Sequence, residues 1–300
     1  MISESEEYVL LTPLLQTMRL RQWPKNAFAF VPLLFDRKLF DPESVVRAII
    51  AFFLLSLMSS AVYIMNDLVD IESDRQHPVK RNRPLPSGRL DPTVALIAGI
   101  VLALGSLTAG FLMAPIFGAI LLAYLLSQIA YTLRLKRVVL VDVSIVAAGF
   151  ILRIAAGVAV LEDVQRFSPW LYIFGGFLAL FLALGKRRHE LMLLGDEAGN
   201  HRAILSEYNL ELIDRLIGIV TTSAIVAYSL YTFLAEGLPG NHIMMLTIPF
   251  VLYGMFRYLY LIHVRHEGGA PEEILLRDLP TQAALVMWVV VVFIALYVVS

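Results

Sequence analysis

The sequence predicts an all-α polytopic membrane protein, and three observations carry that prediction. Of its 300 residues 58% are hydrophobic and only 16% charged, with a mean hydropathy of +0.74, whereas soluble domains sit near about 45–50% apolar and about 25% charged. Apolar runs long enough to cross a bilayer recur along the whole chain, separated by short polar or Pro/Gly breaks. Lys and Arg gather in alternate breaks, as they do in an oriented multi-span chain. Lipid offers backbone groups no partners, so spanning runs of this length are helices.

Taken in order, the runs predict nine spans over roughly 15–36, 43–65, 92–112, 115–134, 138–161, 168–187, 212–235, 242–263 and 280–299. Arg19, Arg21 and Lys25 interrupt the first. It reads as an amphipathic lead-in that reaches the bilayer after Trp23-Pro24, with the Trp at headgroup depth. The longest polar connections are 66–91, 188–211 and 264–279, none large enough to fold alone, so residues 1–300 form a single transmembrane domain. The acidic start, Met1 to Tyr8, lacks the basic region of a signal peptide.

With the N-terminus in the cytoplasm, about nineteen of the 24 Lys and Arg fall on that side. Arg37, Lys38, Arg47 and Arg166 lie opposite, and Arg153 falls inside a span. All three long polar connections are then cytoplasmic, so water-soluble substrates enter from there. A net charge of −1 argues against a general nucleic-acid binder. The absence of cysteine removes thiol nucleophiles and Cys-based metal sites.

Chemistry-bearing residues cluster at span ends. After the 43–65 run comes Asn66-Asp67-Leu68-Val69-Asp70-Ile71-Glu72-Ser73-Asp74. In a helix Asn66, Asp67, Asp70 and Asp74 share a face, and carboxylates so close repel unless a cation sits among them. Oxygen-only donors favour Mg²⁺, whose shell is completed by phosphate and water. Lys80, Arg81, Arg83 and Arg89 follow at once and suggest a phosphorylated substrate; a solvated acidic-basic loop is the plain alternative. Tyr131-Thr132-Leu133-Arg134-Leu135-Lys136-Arg137 ends the fourth span, either as a topology anchor or as a cationic wall for phosphate.

Asp142 and Arg153 share one face of the fifth span, about 16 Å apart along its axis. Ionisable groups inside a span mark a functional cavity unless they form a structural pair. The sixth span ends Gly185-Lys186-Arg187-Arg188-His189-Glu190, where Lys186 and Glu190 are spaced for a helix-surface salt bridge and the cations suit a second phosphate. Lys25 is a further cation that points either into this site or into the headgroups. Glu272-Glu273 and Arg277-Asp278 read as solvated, and His263 and His266 lack the partners of a zinc site.

Asn66-Asp67-x-x-Asp70-x-x-x-Asp74, followed by Lys80, Arg83-Pro84 and Ser87-Gly88, resembles the first aspartate-rich motif of the UbiA superfamily of intramembrane prenyltransferases. The resemblance implies nine helices around a central cavity, with a Mg²⁺-diphosphate bound at its cytoplasmic end. Ordinary members carry a second aspartate-rich motif after the sixth helix, where this chain is basic with one acid. Arg19-x-Arg21-Gln22-Trp23-Pro24-Lys25-Asn26, His77-Pro78-x-Lys80, Arg134-x-Lys136, Asp142-Val143, Gly149-Phe150-x-x-Arg153 and Gly185-Lys186-Arg187-x-x-Glu190 are similar instead to the decaprenyl-phosphate phosphoribosyltransferase branch.

That branch implies transfer of 5-phosphoribose from phosphoribosyl pyrophosphate to a polyprenyl phosphate, at the plasma (inner) membrane, for cell-wall arabinan precursors. The resemblance then assigns Mg²⁺ to Asn66, Asp67, Asp70 and Asp74, and makes the three aspartates the catalytic carboxylates. Lys80 and Arg83 take the diphosphate, and Lys186, Arg187 and Glu190 take the ribosyl phosphate or ribose hydroxyls. Arg134, Lys136 and Arg153 hold the acceptor phosphate, while Lys25, Tyr131 and Asp142 complete the substrate-binding set. The rival readings are a prenyltransferase acting on an aromatic acceptor, which a second acidic pair would favour, and a transporter. A transporter spreads polar residues through both halves of the membrane, whereas here they concentrate at one face.

Overall fold

A computed structural model describes residues 12–161, 168–194, 203–267, 269, 274 and 277–299. The acidic start, Arg166 and Glu272-Glu273 lie outside the described residues. Among the described residues eight helices are long and apolar enough to span a membrane. They are α1 (Pro42–Val69), α2 (Pro92–Met113), α3 (Pro115–Leu133), α4 (Val141–Val160), α5 (Pro169–Leu194), α6 (Leu210–Leu234), α7 (Ile248–His263), which the segment Ile243–Thr247 extends to a span over Ile243–His263, and α8 (Leu279–Phe293), which Ile294–Val298 extends to a span over Leu279–Val298. The chain is all-α and crosses the membrane many times.

Local chemistry starts these helices where they start. Asp41 caps α1 by accepting from the Ser44 amide, and Pro42 fills the first turn, where no amide partner is needed. Asp91 with Pro92 does the same for α2, and Asp278 with Pro280 for α8. Asn209 caps α6 through the Leu212 amide.

The predicted first span is not one helix. A helix over 12–18 ends at Arg19, whose φ of 53° is left-handed, and eleven residues of 3₁₀ geometry, Leu20–Phe30, precede a short helix Val31–Phe35. The cause is local: Pro24 lies within the segment and Pro32 at the start of the next turn, so neither offers an amide to an α-helical ladder. Arg19, Arg21 and Lys25 would each be costly in lipid.

The chain forms two compact units, one from the residues up to Leu33, Lys38–Leu133 and Leu152–Asp163, the other from Leu34–Arg37, Arg134–Ile151 and Val164–Ser300. In the first, α1 packs on α2, and α2 on α3. Its interior holds Leu55, Met58, Phe117, Leu121 and Ala156. Small residues let the backbones approach, as membrane packing requires. A Cβ on Gly157 would lie 2.2 Å from the Ala29 carbonyl oxygen, so only glycine lets the leading segment seat on this part of α4.

In the second unit α5 and α6 make the most extensive pairing. One core gathers Phe181, Leu184, Ile213, Ile217, Tyr258 and Ile262; another gathers Leu171, Tyr228, Tyr231, Val292 and Leu296. The Tyr228 hydroxyl lies 2.7 Å from the Thr247 hydroxyl and accepts from Trp288 Nε1 at 2.7 Å, so its polar end is satisfied inside the apolar core. Apolar side chains that remain exposed on α2, such as Ile97, Val101 and Leu104, face the lipid such a protein needs.

Candidate active site

The first unit assembles the acidic motif across a helix break. Asn66 and Asp67 lie on the last turn of α1, Asp70 caps it, and Asp74 belongs to a short helix, Ile71–Gln76. The amide of Asp70 donates to the Asn66 carbonyl (3.0 Å) and that of Asp74 to the Asp70 carbonyl (2.8 Å), so the four-residue step survives the junction. The backbone of Asn66, Asp70 and Asp74 therefore stays in helical register through the break.

Asp67 and Asp74 are both buried, and cations reach them from two directions. Arg19 pairs with Asp67 and lies 4.9 Å above the Tyr63 ring. Arg83 Nη1 sits 3.3 Å from Asp67 Oδ1 and 2.7 Å from Asp74 Oδ2, bridging the two carboxylates. Lys80 Nζ lies 3.6 Å from Asp74 Oδ1. Asn66 accepts from the Thr132 hydroxyl, which ties the end of α3 to the motif.

The connection after the motif is folded rather than a solvated loop. Leu85 and Leu90 are buried against Met18, Ile64 and Ala95. His77 Nδ1 accepts from the amides of Val79 (3.1 Å) and Lys80 (3.3 Å), and Gly88 turns the chain at a φ of 78°. Arg89 closes the turn onto the Asn82 carbonyl at 2.7 Å.

The donors in this cluster are hard oxygens, three carboxylates and an amide, of the kind Mg²⁺ prefers. Among the described residues no three carboxylate or imidazole groups converge as a preformed metal cluster. The fit therefore rests on donor chemistry and on the guanidinium that already bridges Asp67 and Asp74. On those two grounds the residues suit a hard divalent cation.

Arg153 belongs to the same unit but to a different network. It is buried, with Nε donating to Asn26 Oδ1 at 2.7 Å, Nη2 to the Tyr124 hydroxyl at 3.1 Å, and its guanidinium 5.0 Å above the Tyr124 ring. Asn26 in turn donates to Ser56 (3.0 Å) and Ser59 (3.1 Å) on α1. These bonds make an interior tie between α4, α3 and the leading segment. Lys25, next to Asn26, is partly buried, as is Tyr131.

The second unit holds the cations that follow the third helix and those that end the fifth. Asp142, fully buried in the first turn of α4, receives Arg187 Nε at 2.9 Å on one oxygen and the Tyr208 hydroxyl at 2.7 Å on the other. Arg187 Nη1 also donates to Glu190 Oε2 at 2.5 Å. Glu190 thus pairs with Arg187 rather than with Lys186, because Arg187 is drawn inward by a carboxylate that must be paired. Arg187 thus joins the two acids through Nε and Nη1. Lys186 and Arg134 are exposed and Lys136 partly so. Arg188 holds Asp214 at 2.7 Å and the Ile262 carbonyl at 3.1 Å.

Sequence reasoning gave Arg19, Tyr124 and Tyr208 no individual role. Arg19 opens the Arg19–Asn26 motif, which is its sequence signal; Tyr208 has none, since its partner is 66 residues away.

The family description "UbiA prenyltransferase family" matches residues 27–274, a range that runs through both units. The decaprenyl-phosphate phosphoribosyltransferase of Mycobacterium tuberculosis is 31% identical over 291 residues, covering 94% of each chain. That of Corynebacterium glutamicum is 29% identical over 296 residues, covering 95% of this chain and 87% of that one. A UbiA homolog from Archaeoglobus fulgidus, solved bound to GPP and Mg²⁺, has the same fold with a TM-score of 0.72 at 16% identity, covering 95% of this chain and 100% of that one. The chain belongs to the UbiA prenyltransferase family.

Proposed function

We propose that this protein transfers 5-phosphoribose from phosphoribosyl pyrophosphate to a polyprenyl phosphate of the decaprenyl type, releasing diphosphate. The observation that carries the reading is that the chain holds one acidic cluster in its first unit and, in its second, a polar region that is basic. The Gly185–Glu190 stretch near the C-terminal end of α5 offers an exposed Lys186 and a Glu190 held by Arg187. Two phosphorylated substrates suit such a protein better than a neutral aromatic ring. The curated relatives, similar along almost their whole length, support the same donor and acceptor.

In the reaction an acceptor phosphate oxygen attacks the anomeric carbon of the ribose. The bond from that carbon to diphosphate breaks, its electron pair leaves with the diphosphate, and positive charge develops at the ring. The acceptor is already anionic near neutral pH, so no general base is required. Asn66, Asp67, Asp70 and Asp74 would hold Mg²⁺, and the chemistry a bound Mg²⁺ supplies is charge neutralisation and orientation of the diphosphate. Lys80 and Arg83 stabilise negative charge as it grows on the departing oxygens. Lys186 takes the ribosyl phosphate, and Glu190, oriented by Arg187, accepts from ribose hydroxyls. Arg134 and Lys136 hold the acceptor phosphate, with Lys25 and Tyr131 bordering the substrates. Asp142 and Arg153 serve by holding structure.

The reading places the N-terminus and both polar regions on the cytoplasmic side of the plasma membrane, because the basic connections gather there. It treats residues 1–300 as one functional domain, with a product that feeds cell-wall arabinan. The test is to incubate purified protein with Mg²⁺, labelled phosphoribosyl pyrophosphate and a polyprenyl phosphate. Label should move into the lipid fraction. Turnover only in a parallel incubation with an allylic diphosphate and an aromatic acid would overturn the reading.

A further inference from the structure

The basic turn of the second unit is held by a residue placed outside the chemistry so far. Leu140 sits at a φ of 65°, in the left-handed region that is unfavourable for any residue with a Cβ. Its side chain is 45% exposed, so packing contributes little to keeping it there. Its amide donates to the Tyr208 hydroxyl at 2.8 Å. That hydroxyl donates in turn to Asp142 Oδ1 at 2.7 Å, and the Tyr208 ring is anchored in the core with Ile204, Ile213 and Val143.

Tyr208 thus joins a strained backbone position to a buried carboxylate that Arg187 fixes from its other side. Immediately before Leu140 the chain makes one 3₁₀ turn, Leu135–Arg137, closed by hydrogen bonds within itself: Arg137 to the Arg134 carbonyl and Val138 to the Leu135 carbonyl, both 3.1 Å. The turn carries three cations, Arg134, Lys136 and Arg137.

We propose that Tyr208 is a positioning residue whose hydroxyl latches Leu140 in its left-handed conformation and thereby fixes the basic turn 134–137. The consequence for catalysis rests on the reading above, in which Arg134 and Lys136 receive the acceptor phosphate. Burial, and then the hydrogen bond to Asp142, pushes the Tyr208 hydroxyl up to about 12. It therefore keeps its proton, and with it the bond it donates to Asp142, throughout the neutral range.

The test uses the full-length protein in lipid nanodiscs. Tyr208→Phe keeps the ring and removes only the hydroxyl. Trypsin cleavage after Arg134, Lys136 or Arg137 should then accelerate about tenfold, as local opening becomes easier. The KM for polyprenyl phosphate should rise several-fold while kcat stays within about twofold, the pattern of a lost binding contribution. Adding Leu140→Gly to Tyr208→Phe should restore protection and KM, because glycine adopts this φ without strain. Wild-type cleavage rates in Tyr208→Phe, or no restoration by Leu140→Gly, would overturn the latch.

Hydrogen exchange at the Leu140 amide of the unmodified protein gives a second reading independent of any variant's folding. Protection is expected, and free exchange would sink the proposal. Proteolysis and exchange need no turnover, so they decide the latch even if phosphoribosyl transfer is absent. Lost protection with an unchanged KM would overturn the link to the acceptor phosphate.

Discussion

The acidic motif of the first unit and the Asp142–Arg187 pair of the second both join carboxylates to arginine, in opposite ways. The Asp67 and Asp74 side chains are each 4% exposed, but their cations reach water: Arg19 is 28% exposed, Arg83 32% and Lys80 43%. Asp142 is 0% exposed and Arg187 6%. Cations that keep one side in solvent can be exchanged for an ion or drawn toward a phosphate. A pair with neither side in solvent cannot change partners without stranding a buried charge. The first arrangement suits ligand binding, and the second suits a fixed scaffold.

The hardest test of that contrast is the buried pair. Asp142→Ala should cost about 3–5 kcal/mol of stability, because Arg187 loses its main carboxylate and Tyr208 its acceptor. Denaturant titration of the protein in micelles measures this, and a loss below about 1 kcal/mol would mean the pair is not fixed.

Asp70→Ala probes the opposite case. It should lower turnover about 10²–10³-fold with the midpoint of thermal unfolding little changed. A variant that kept near-wild-type Mg²⁺-dependent turnover would remove the metal role from the motif. Lys186→Ala should weaken phosphoribosyl pyrophosphate binding about tenfold by titration calorimetry, the scale of one charge-assisted contact. Unchanged affinity would leave Lys186 without a role in donor binding.

The smallest effect concerns Asp278, the cap of α8. Hydrogen bonds from Arg257 first, then from Thr281, hold its carboxyl down at about 2. An aspartate depressed in the folded state stabilises fully above its unfolded value of about 3.9, and that stability is lost as pH falls toward the folded value. Unfolding followed from pH 5 to pH 2 should show this loss in the native protein and less of it in Asp278→Asn, which keeps the cap but should itself cost up to about 1 kcal/mol through the lost ion pair with Arg257. Identical pH profiles would contradict the assignment.

The long spans are legible in the sequence because lipid imposes one rule on every segment it contains. The Asn66–Asp74 face is legible for a related reason, since four-residue spacing survives even the break at Asp70. The Asp142–Arg187 pair is not, because 45 residues separate its members and burial decides which of three adjacent cations turns inward. The same reason hides the bond of Glu190 to Arg187 rather than Lys186. The leading segment was legible as irregular from its charges, but its left-handed turn at Arg19 becomes intelligible only with the Asp67 contact in view. Local chemistry predicts elements, and long-range electrostatics chooses partners.

Arg153 carries a consequence for the order of biogenesis. An arginine at the centre of a membrane helix costs about 2.5–3.5 kcal/mol on insertion scales, so α4 gains from having a polar receptor ready when it enters the bilayer. Asn26 and Tyr124, which receive the guanidinium, both precede Arg153 in the chain. The ribosome has therefore made the receptor before it makes the charge. Delaying the leading segment, or synthesising it as a separate fragment after α4, would send Arg153 into lipid with that receptor incomplete.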